Sequence, residues 1–206
     1  MATSTDRALR SSTRDQLLVQ ASLLFRERGF HATSVGDVLD RAGVQKGSLY
    51  HHFPSKEDLA HAVIDRWVEH LRTHVLDRLT AADGRTPLDR IGATLDEFLA
   101  EQEAAHCRGG CPFGNLALEM ADVHEGFRAR LVDTFRRLAD AFAAQIARAQ
   151  ADGAVRSDAD PHSLGCFLVA AVEGGILLAK VHRSPVPLAA TLRCAKAHIE
   201  SLRTNA

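Results

Sequence analysis

Apolar residues recur at helical spacing along most of the chain, and short polar breaks divide them into segments. In the first segment, Leu17, Ala21, Leu24 and Phe25 share one helix face, and the segment ends at Gly29. Glycine just after an apolar helical run is typical of a left-handed C-terminal cap. The pattern therefore predicts a first helix that ends at Gly29.

The next helical pattern is short and begins with a capping signal. Ser34 is placed to cap a helix with its side chain, and Asp37, three residues on, lies near the positive end of that helix. The apolar positions that follow stop at Gly43, where the chain must turn with positive φ. A second short, polar helix after this turn completes the pattern of a helix-turn-helix.

The second short helix carries residue types suited to DNA. Lys46 supplies positive charge, Gly47 lets the backbone approach phosphate, and Ser48 and Tyr50 offer hydroxyl groups. His51 is placed to donate to a base edge or to a phosphate. Each of these residues taken alone is more typical of a solvated surface, so the prediction rests on their combination.

A long helix is predicted to follow. Pro54 breaks the chain, Ser55 caps the new helix, and Asp58 occupies the third position of the capping box. Lys56 points back toward the backbone of any bound duplex. Nothing interrupts the helical pattern until about Leu79, a span of roughly 37 Å at about 1.5 Å per residue, which is long enough to connect two domains.

The motifs of this region resemble the N-terminal domain of the TetR family of bacterial transcriptional repressors. GF-x-x-TSV, AGV, KGSLYHHF and SKEDL occur at fixed offsets within residues 14–63. The resemblance implies that Thr33 and Ser34 contact phosphate, that residues 46–51 enter the major groove of an operator, and that Lys56 anchors the start of the next helix. Neither the effector nor a choice between repressor and activator can be read from these motifs.

The predicted fold is all-α, with an N-terminal three-helix helix-turn-helix domain joined by a long helix to a larger helical ligand-binding and dimerisation domain. We expect a disordered arm over residues 1–10, a DNA-binding domain over 11–54, and an effector-binding and dimerisation domain over 55–206. The arm is polar and lacks the apolar core of a signal peptide. Its two arginines either touch DNA or belong to a solvated tail.

In the C-terminal half, Pro87 begins another helix, which runs toward the break HCRGGCP at residues 106–112. Helical apolar spacing then continues from Leu116 through Ile146, which predicts one long helix closed by Gly153. Asp160 and Pro161 mark the cap and the first turn of the next helix.

The last two long helices are predicted to form a homodimer interface. Between Leu164 and Ala179 apolar residues surround the helix on all sides, which indicates burial on more than one face, partly against another subunit. Gly174 and Gly175 would let helices approach closely. A four-three repeat typical of a helix-helix seam follows at Leu188, Leu192, Ala195, Ile199 and Leu202. A two-fold dimer reads two half-sites, so the double-stranded DNA operator is expected to be a near-palindrome.

The C-terminal half also resembles the ligand-binding domains of a TetR subgroup whose members respond to toxic or reactive small molecules. GCPFGNLALEMAD, AQADGAVRSDADP and EGGILLAKVHRS carry this resemblance over residues 110–188. It implies a repressor released when a small-molecule effector favours a conformation that cannot bind DNA. Candidate pocket residues are apolar walls or polar positions in apolar stretches: Trp67, Phe98, Cys111, Phe113, Asn115, Glu119, Phe167, Glu173 and Lys180. The aromatic residues are more typical of an ordinary core, whereas the charged residues fit a structural ion pair as well as a ligand site.

Cys111 supports an alternative function. A thiol in a glycine-rich break, near a helix start and a cation such as Arg108 or Lys180, would have a lowered pKa and react with electrophiles or oxidants. Cys107 would be its resolving partner, in a thiol-based redox or electrophile-responsive protein. The competing interpretation is a buried, inert thiol. The remaining thiols are expected to be packing residues: Cys166 and Cys194.

The amino-acid composition excludes few further classes of function. A net charge of −1 is compatible with DNA binding, because positive charge need only concentrate on one face. The apolar run that Glu173 interrupts and Lys180 ends is expected to be too short to cross a membrane, so we expect a cytoplasmic protein without membrane contact.

Enzyme and metal signatures are missing from the sequence. The chain has 11 histidines and 4 cysteines but no C-x-x-C pair, no H-E-x-x-H, no G-x-S-x-G and no phosphate-binding glycine loop. His70 and His74 share a helix face, yet two ligands do not make a structural metal site. We therefore expect no enzyme activity, no cofactor and no metal.

Overall fold

The structure, a computed structural model, describes residues 12–204, and its regular secondary structure over that range is helical. An isolated antiparallel bridge joins Val155 to Arg203. The helices in chain order are α1 (Thr13–Arg28), α2 (Val35–Ala42), α3 (Lys46–His52), α4 (Lys56–Leu71), α5 (Asp77–Thr80), α6 (Pro87–Ala104), α7 (Pro112–Met120), α8 (Glu125–Ala151), α9 (Pro161–His182) and α10 (Val186–Glu200). The predicted all-α fold is confirmed, whereas the predicted arm over residues 1–10 lies outside the described residues.

The chain separates into two compact units, and the boundary lies inside α4, between Trp67 and Val68. The domain limits proposed from the sequence, 11–54 and 55–206, stay a prediction about organisation. Helical structure continues beyond α4 to Thr80, as predicted, but a π-helical stretch, Arg72–Leu76, separates α4 from α5.

The first unit is built around the buried face of α1. Leu17, Leu24 and Phe25 are buried, and Leu49 of α3 is fully buried in the same unit. α1 ends at Arg28, as predicted. Gly29 has positive φ (90°) but an extended ψ (168°), so the predicted left-handed cap is wrong in detail.

The core of the second unit lies between α6, α8, α9 and α10. Close packing of α9 depends on glycine at two points. A Cβ on Gly165 would collide with the backbone carbonyl of Ala139 on α8, and a Cβ on Gly175 would press on Leu188 of α10. The expected close approach is therefore made at Gly165 and Gly175, whereas Gly174 faces open space.

The single long helix predicted from Leu116 onward is two helices, α7 and α8. The chain breaks between them, and the His124 ring nitrogen Nδ1 accepts a hydrogen bond from the Phe127 N–H at 3.2 Å, which caps α8. Met120 before the break and Phe127 after it are both buried. Because these two residues keep helical spacing across the break, the apolar period alone did not reveal it.

The four-three repeat, which runs through α10 and ends just after it at Leu202, is not a seam between subunits. Its members are almost completely buried in the core of their own unit: Leu188, Leu192, Ala195, Ile199 and Leu202. These side chains pack within one chain because α10 lies against α9 and α6. Any contact with a second copy must therefore use other positions.

The helix α9 is longer than its apolar run suggested. It spans 22 residues, and by length and composition it would reach across a bilayer, so the argument that it is too short is wrong. The helix begins before Leu164 and continues past Lys180. One face, which includes Leu168, Val172 and Ile176, is buried in the unit.

Candidate nucleic-acid interface and ligand cavity

Local hydrogen bonds fix both ends of α2. The Ser34 side chain accepts from the Asp37 N–H at 3.1 Å, and the Asp37 carboxylate accepts from the Ser34 N–H at 2.7 Å, which forms a capping box. Hydrogen bonds from the Ser34 hydroxyl and backbone lower the pKa of Asp37. At the other end, Gly43 adopts left-handed backbone angles (φ 65°, ψ 34°), which turn the chain toward α3.

The short helix α3 has one buried residue and an exposed polar surface. Leu49 is fully buried, and Phe53, just after the helix, is 3% exposed. Four of the predicted DNA-binding residues of α3 are exposed: Lys46, Gly47, Tyr50 and His51. The fifth, Ser48, is half-buried. The helix is thus held by its apolar face while its polar face is left for a partner.

Thr33 differs from the other predicted contacts because it is fully buried. Its hydroxyl donates to the Gly29 carbonyl oxygen at 2.7 Å, and its N–H donates to the carbonyl of Phe30. Both of its donors serve the turn before α2. We therefore remove Thr33 from the proposed phosphate contacts, while Ser34 beside it is exposed.

Lys56 lies at the start of α4 and is half-buried. Its ammonium donates to the Phe30 carbonyl oxygen at 2.6 Å and lies 4.1 Å from the centre of the Phe30 ring. Lys56 therefore ties the start of α4 to the segment before α2. Arg14 of α1 lies 5.2 Å from the centre of the Phe53 ring, which brings a second cation close to the end of α3.

The second unit contains a cavity of about 380 Å³ between α7, α8 and α9. Its walls are mainly apolar, with a few polar groups, as is typical of small-molecule sites. The lining residues are Gly110, Cys111, Gly114, Asn115, Ala117, Leu118, Phe135, Glu173, Gly174, Ile176, Leu177 and Lys180.

Four of the nine residues predicted to form a pocket line this cavity: Cys111, Asn115, Glu173 and Lys180. The other five lie elsewhere. Trp67 belongs to the first unit, where its indole N–H donates to Ser22 at 2.8 Å. Phe98 and Phe113 are buried, Glu119 is half-exposed, and Phe167 is 42% exposed with its ring edge-on to His198.

The apolar walls of the cavity were not predicted from the sequence; they include Leu118, Phe135, Ile176 and Leu177. Helical spacing marked Phe135 as an apolar position. It carried no information about which residues of α7 and α9 stand opposite.

A chain of polar contacts lines one side of the cavity. The Lys180 ammonium donates to the Asn115 Oδ1 at 2.9 Å, and the Asn115 Nδ2 donates to the Gly109 carbonyl oxygen at 2.5 Å. Glu173, seven residues before Lys180 on α9, has a carboxyl group that accepts a hydrogen bond from the Cys111 thiol. Burial raises the pKa of Glu173 above its ordinary value of 4.5.

The prediction of a lowered thiol pKa at Cys111 is wrong. Burial, and next the charge of Glu173, raise the pKa of this thiol well above its ordinary value. The Lys180 ammonium is hydrogen-bonded to Asn115 instead of to the sulfur. Cys107, the predicted resolving partner, is buried at 2% exposure.

The other two cysteines differ from the prediction in the opposite sense. Cys166 and Cys194, expected to pack in the core, are both exposed.

His70 and His74 stack with their ring centres 4.0 Å apart. Across residues 12–204, no group of three or more His, Cys, Asp or Glu side chains is arranged to hold a metal ion.

Comparison with known families covers most of the chain. Residues 17–63 match the family described as bacterial regulatory proteins, tetR family, and residues 87–195 match the family described as tetracyclin repressor-like, C-terminal domain. The first match contains α2, α3 and the start of α4. The second contains every residue that lines the cavity.

Individual proteins show the same similarity over nearly their whole length. The chain is 33% identical over 180 residues to an uncharacterized HTH-type transcriptional regulator of Mycobacterium tuberculosis (strain CDC 1551 / Oshkosh), covering 85% of this chain and 88% of that protein. It is 31% identical over 183 residues to the HTH-type transcriptional repressor DhaR of Mycobacterium sp. (strain GP1), covering 87% and 88%. The crystal structure of a regulatory protein TetR from Rhodobacter sphaeroides superposes with a TM-score of 0.84 at 29% identity, covering 91% of this chain and 99% of that chain.

Proposed function

Because this chain belongs to the TetR family of bacterial DNA-binding transcriptional regulators, we propose that it is a ligand-released repressor that binds a near-palindromic operator as a homodimer. Members of this family are regulators and not enzymes. We place the protein in the cytoplasm, where the regulator has access to the chromosome.

The orientation of α3 is the observation that carries the DNA-binding part of the proposal. Leu49 anchors this helix in the core of the first unit. The exposed residues of the helix face outward: Lys46, Gly47, Tyr50 and His51. A helix held in this way is suited to enter a major groove with its polar face. Ser34 and Lys56 would contact the flanking phosphates.

A second exposed surface supports the homodimer. The exposed face of α9 carries Phe167, Leu177, Leu178 and Val181, with exposed fractions between 42% and 70%. Val186, at the start of α10, is 68% exposed. Large apolar side chains grouped on one surface are typical of an interface between subunits.

Release from DNA would begin at the cavity. Its wall includes Glu173, Leu177 and Lys180 of α9, and the same helix carries the proposed dimer surface. A ligand that shifts α9 would therefore change the separation of the two α3 helices in the dimer. Such a coupling is typically worth about 1–3 kcal/mol, the size of the expected loss in operator affinity.

The proposal is tested by selecting genomic DNA fragments with the purified, reduced protein and footprinting the enriched sites at a stated salt concentration. We expect a recurring near-palindrome with two half-sites about one helical turn apart. A Lys46→Ala, Tyr50→Ala double variant is the matched control and should enrich nothing. A single asymmetric site, or equal enrichment by the control, would contradict the proposal.

A further inference from the structure

The lysine that lines the cavity is an uncompensated cation. Lys180 is half-buried, and its ammonium donates to the neutral amide oxygen of Asn115. No carboxylate of residues 12–204 forms an ion pair with it. Taking an ammonium out of water is costly unless it gains a negative partner, so this wall favours a ligand that brings one.

The backbone next to Lys180 adds positive potential on the same side. α7 begins at Pro112, and Cys111 caps it with a thiol that accepts from the Gly114 N–H at 3.5 Å. A thiol is a weak acceptor, so the positive end of this helix is poorly neutralised. Gly114 and Gly110 both line the cavity, and a Cβ on Gly110 would approach the Lys180 stem to 3.0 Å.

The acidic residue of the cavity does not cancel this charge. Glu173 and Lys180 are seven residues apart on α9, so they lie on the same face, separated by about 10 Å along the helix. Burial raises the pKa of Glu173, which favours its neutral form, and the Cys111 thiol is its hydrogen-bond partner. Glu173 and Lys180 are the only acidic and basic side chains of this cavity wall.

We propose that the cavity binds a small organic monocarboxylate, with the carboxylate against Lys180 and the start of α7, and an apolar body between Leu118, Phe135 and Ile176. A cavity of about 380 Å³ accepts a compact linear or aromatic acid. Only the role of this acid as the effector rests on the proposed function. Binding of an acid in the cavity needs no DNA.

The experiment is isothermal titration calorimetry of the full-length protein without DNA. The probes are linear and aromatic monocarboxylates of six to ten carbons, each paired with its own primary amide, which has the same shape and no charge. We expect at least one acid to bind, about tenfold or more tighter than its amide. Lys180→Met should abolish the preference for the acid, and Lys180→Arg should keep it.

Lys196→Met is the matched control, because Lys196 pairs with Asp96 and does not line the cavity. It should leave the preference for acids unchanged. Amides that bind as well as acids would show an apolar pocket without anion recognition and overturn the proposal, as would no binding by any acid at millimolar concentration. Wild-type protein that binds acids but selects no operator would contradict the proposed repressor function and leave the ligand class standing.

Discussion

Ser34 has a structural task that is separate from any contact with DNA, because its hydroxyl caps α2. Ser34→Ala removes the acceptor for the Asp37 N–H and should lower the free energy of unfolding by about 1 kcal/mol. Ser34→Thr keeps the hydroxyl and should cost much less. Urea unfolding of both variants measures this, and equal losses would mean that the cap contributes little to stability.

Lys46 and His51 are expected to affect DNA binding in different ways. If Lys46 contacts phosphate as proposed, Lys46→Ala should weaken binding to all sequences alike and reduce the salt slope by about 1, because it removes that charge. His51→Ala should change the preferred base at one position of each half-site by about 1–3 kcal/mol. Fluorescence anisotropy on operator variants at several salt concentrations separates the two effects.

Lys196→Ala, in the second unit, serves as the control for charge removal and should leave the salt slope unchanged. If the Lys46 and His51 variants lower affinity equally for every sequence, His51 does not read a base. The proposed role of His51 would then reduce to a backbone contact.

Glu173 should make the second unit less stable as the pH rises. The folded protein holds this proton more tightly than the unfolded chain, because burial raises the pKa of Glu173. Its contribution to the free energy of unfolding is therefore largest below about pH 4.5. The contribution falls as the pH rises from there toward the raised pKa of Glu173. The difference in stability between wild type and Glu173→Gln should decrease over this interval in urea unfolding.

Glu125→Gln supplies the opposite case for comparison. A hydrogen bond from Arg128 lowers the pKa of Glu125, so its stabilising effect is complete above the ordinary value of 4.5 and disappears only on acidification. Above about pH 4.5, the difference in stability between wild type and Glu125→Gln should stay constant, whereas the difference between wild type and Glu173→Gln decreases. Parallel curves for the two variants would contradict the buried, proton-holding state of Glu173.

At the scale of elements, the packing of α8 against α9 depends on one glycine. Gly165→Ala would press a methyl group on the Ala139 carbonyl and should cost about 1–3 kcal/mol of stability through overpacking. Gly92→Ala in α6 is the matched control, since open space surrounds Gly92. It should stabilise the protein by about 0.5–1 kcal/mol. Thermal unfolding of both variants measures the contrast, and a neutral Gly165→Ala would mean that the helices separate easily.

Helix ends were more predictable than helix continuity. α6 begins at Pro87, and Asp160 caps α9 before Pro161, both as the sequence indicated. These ends depend on residues a few positions apart. The break between α7 and α8 carries no glycine or proline, and the π-helical stretch Arg72–Leu76 has no strong local signal either, so neither was predicted.

At the scale of the whole molecule, the exposed face of α9 should decide the oligomeric state. Leu178→Glu with Val181→Glu places two charges on the proposed dimer surface, outside the cavity wall, and should convert a dimer into a monomer in sedimentation velocity. The monomer should also lose most of its affinity for a two-half-site operator. Val132→Glu, on an exposed position of α8, is the control and should remain dimeric. A monomeric wild type would refute the interface outright.

The DNA-reading region was largely determined by the sequence. The cap at Ser34, the left-handed turn at Gly43 and the polar face of α3 all follow from side chains within a few residues of one another. Thr33 was misjudged because its burial and its bond to Gly29 depend on the fold of the turn, which residue type does not reveal.

The cavity and the roles of the last helices were decided only by the tertiary structure. Lys180 and Asn115, whose hydrogen bond lines the cavity, are 65 residues apart, and no local pattern pairs them. Periodicity marked α9 and α10 as apolar but did not say which face meets the core of its own chain. Apolar burial is non-directional and requires only that such faces be covered, so the choice of partner depends on how distant helices pack together.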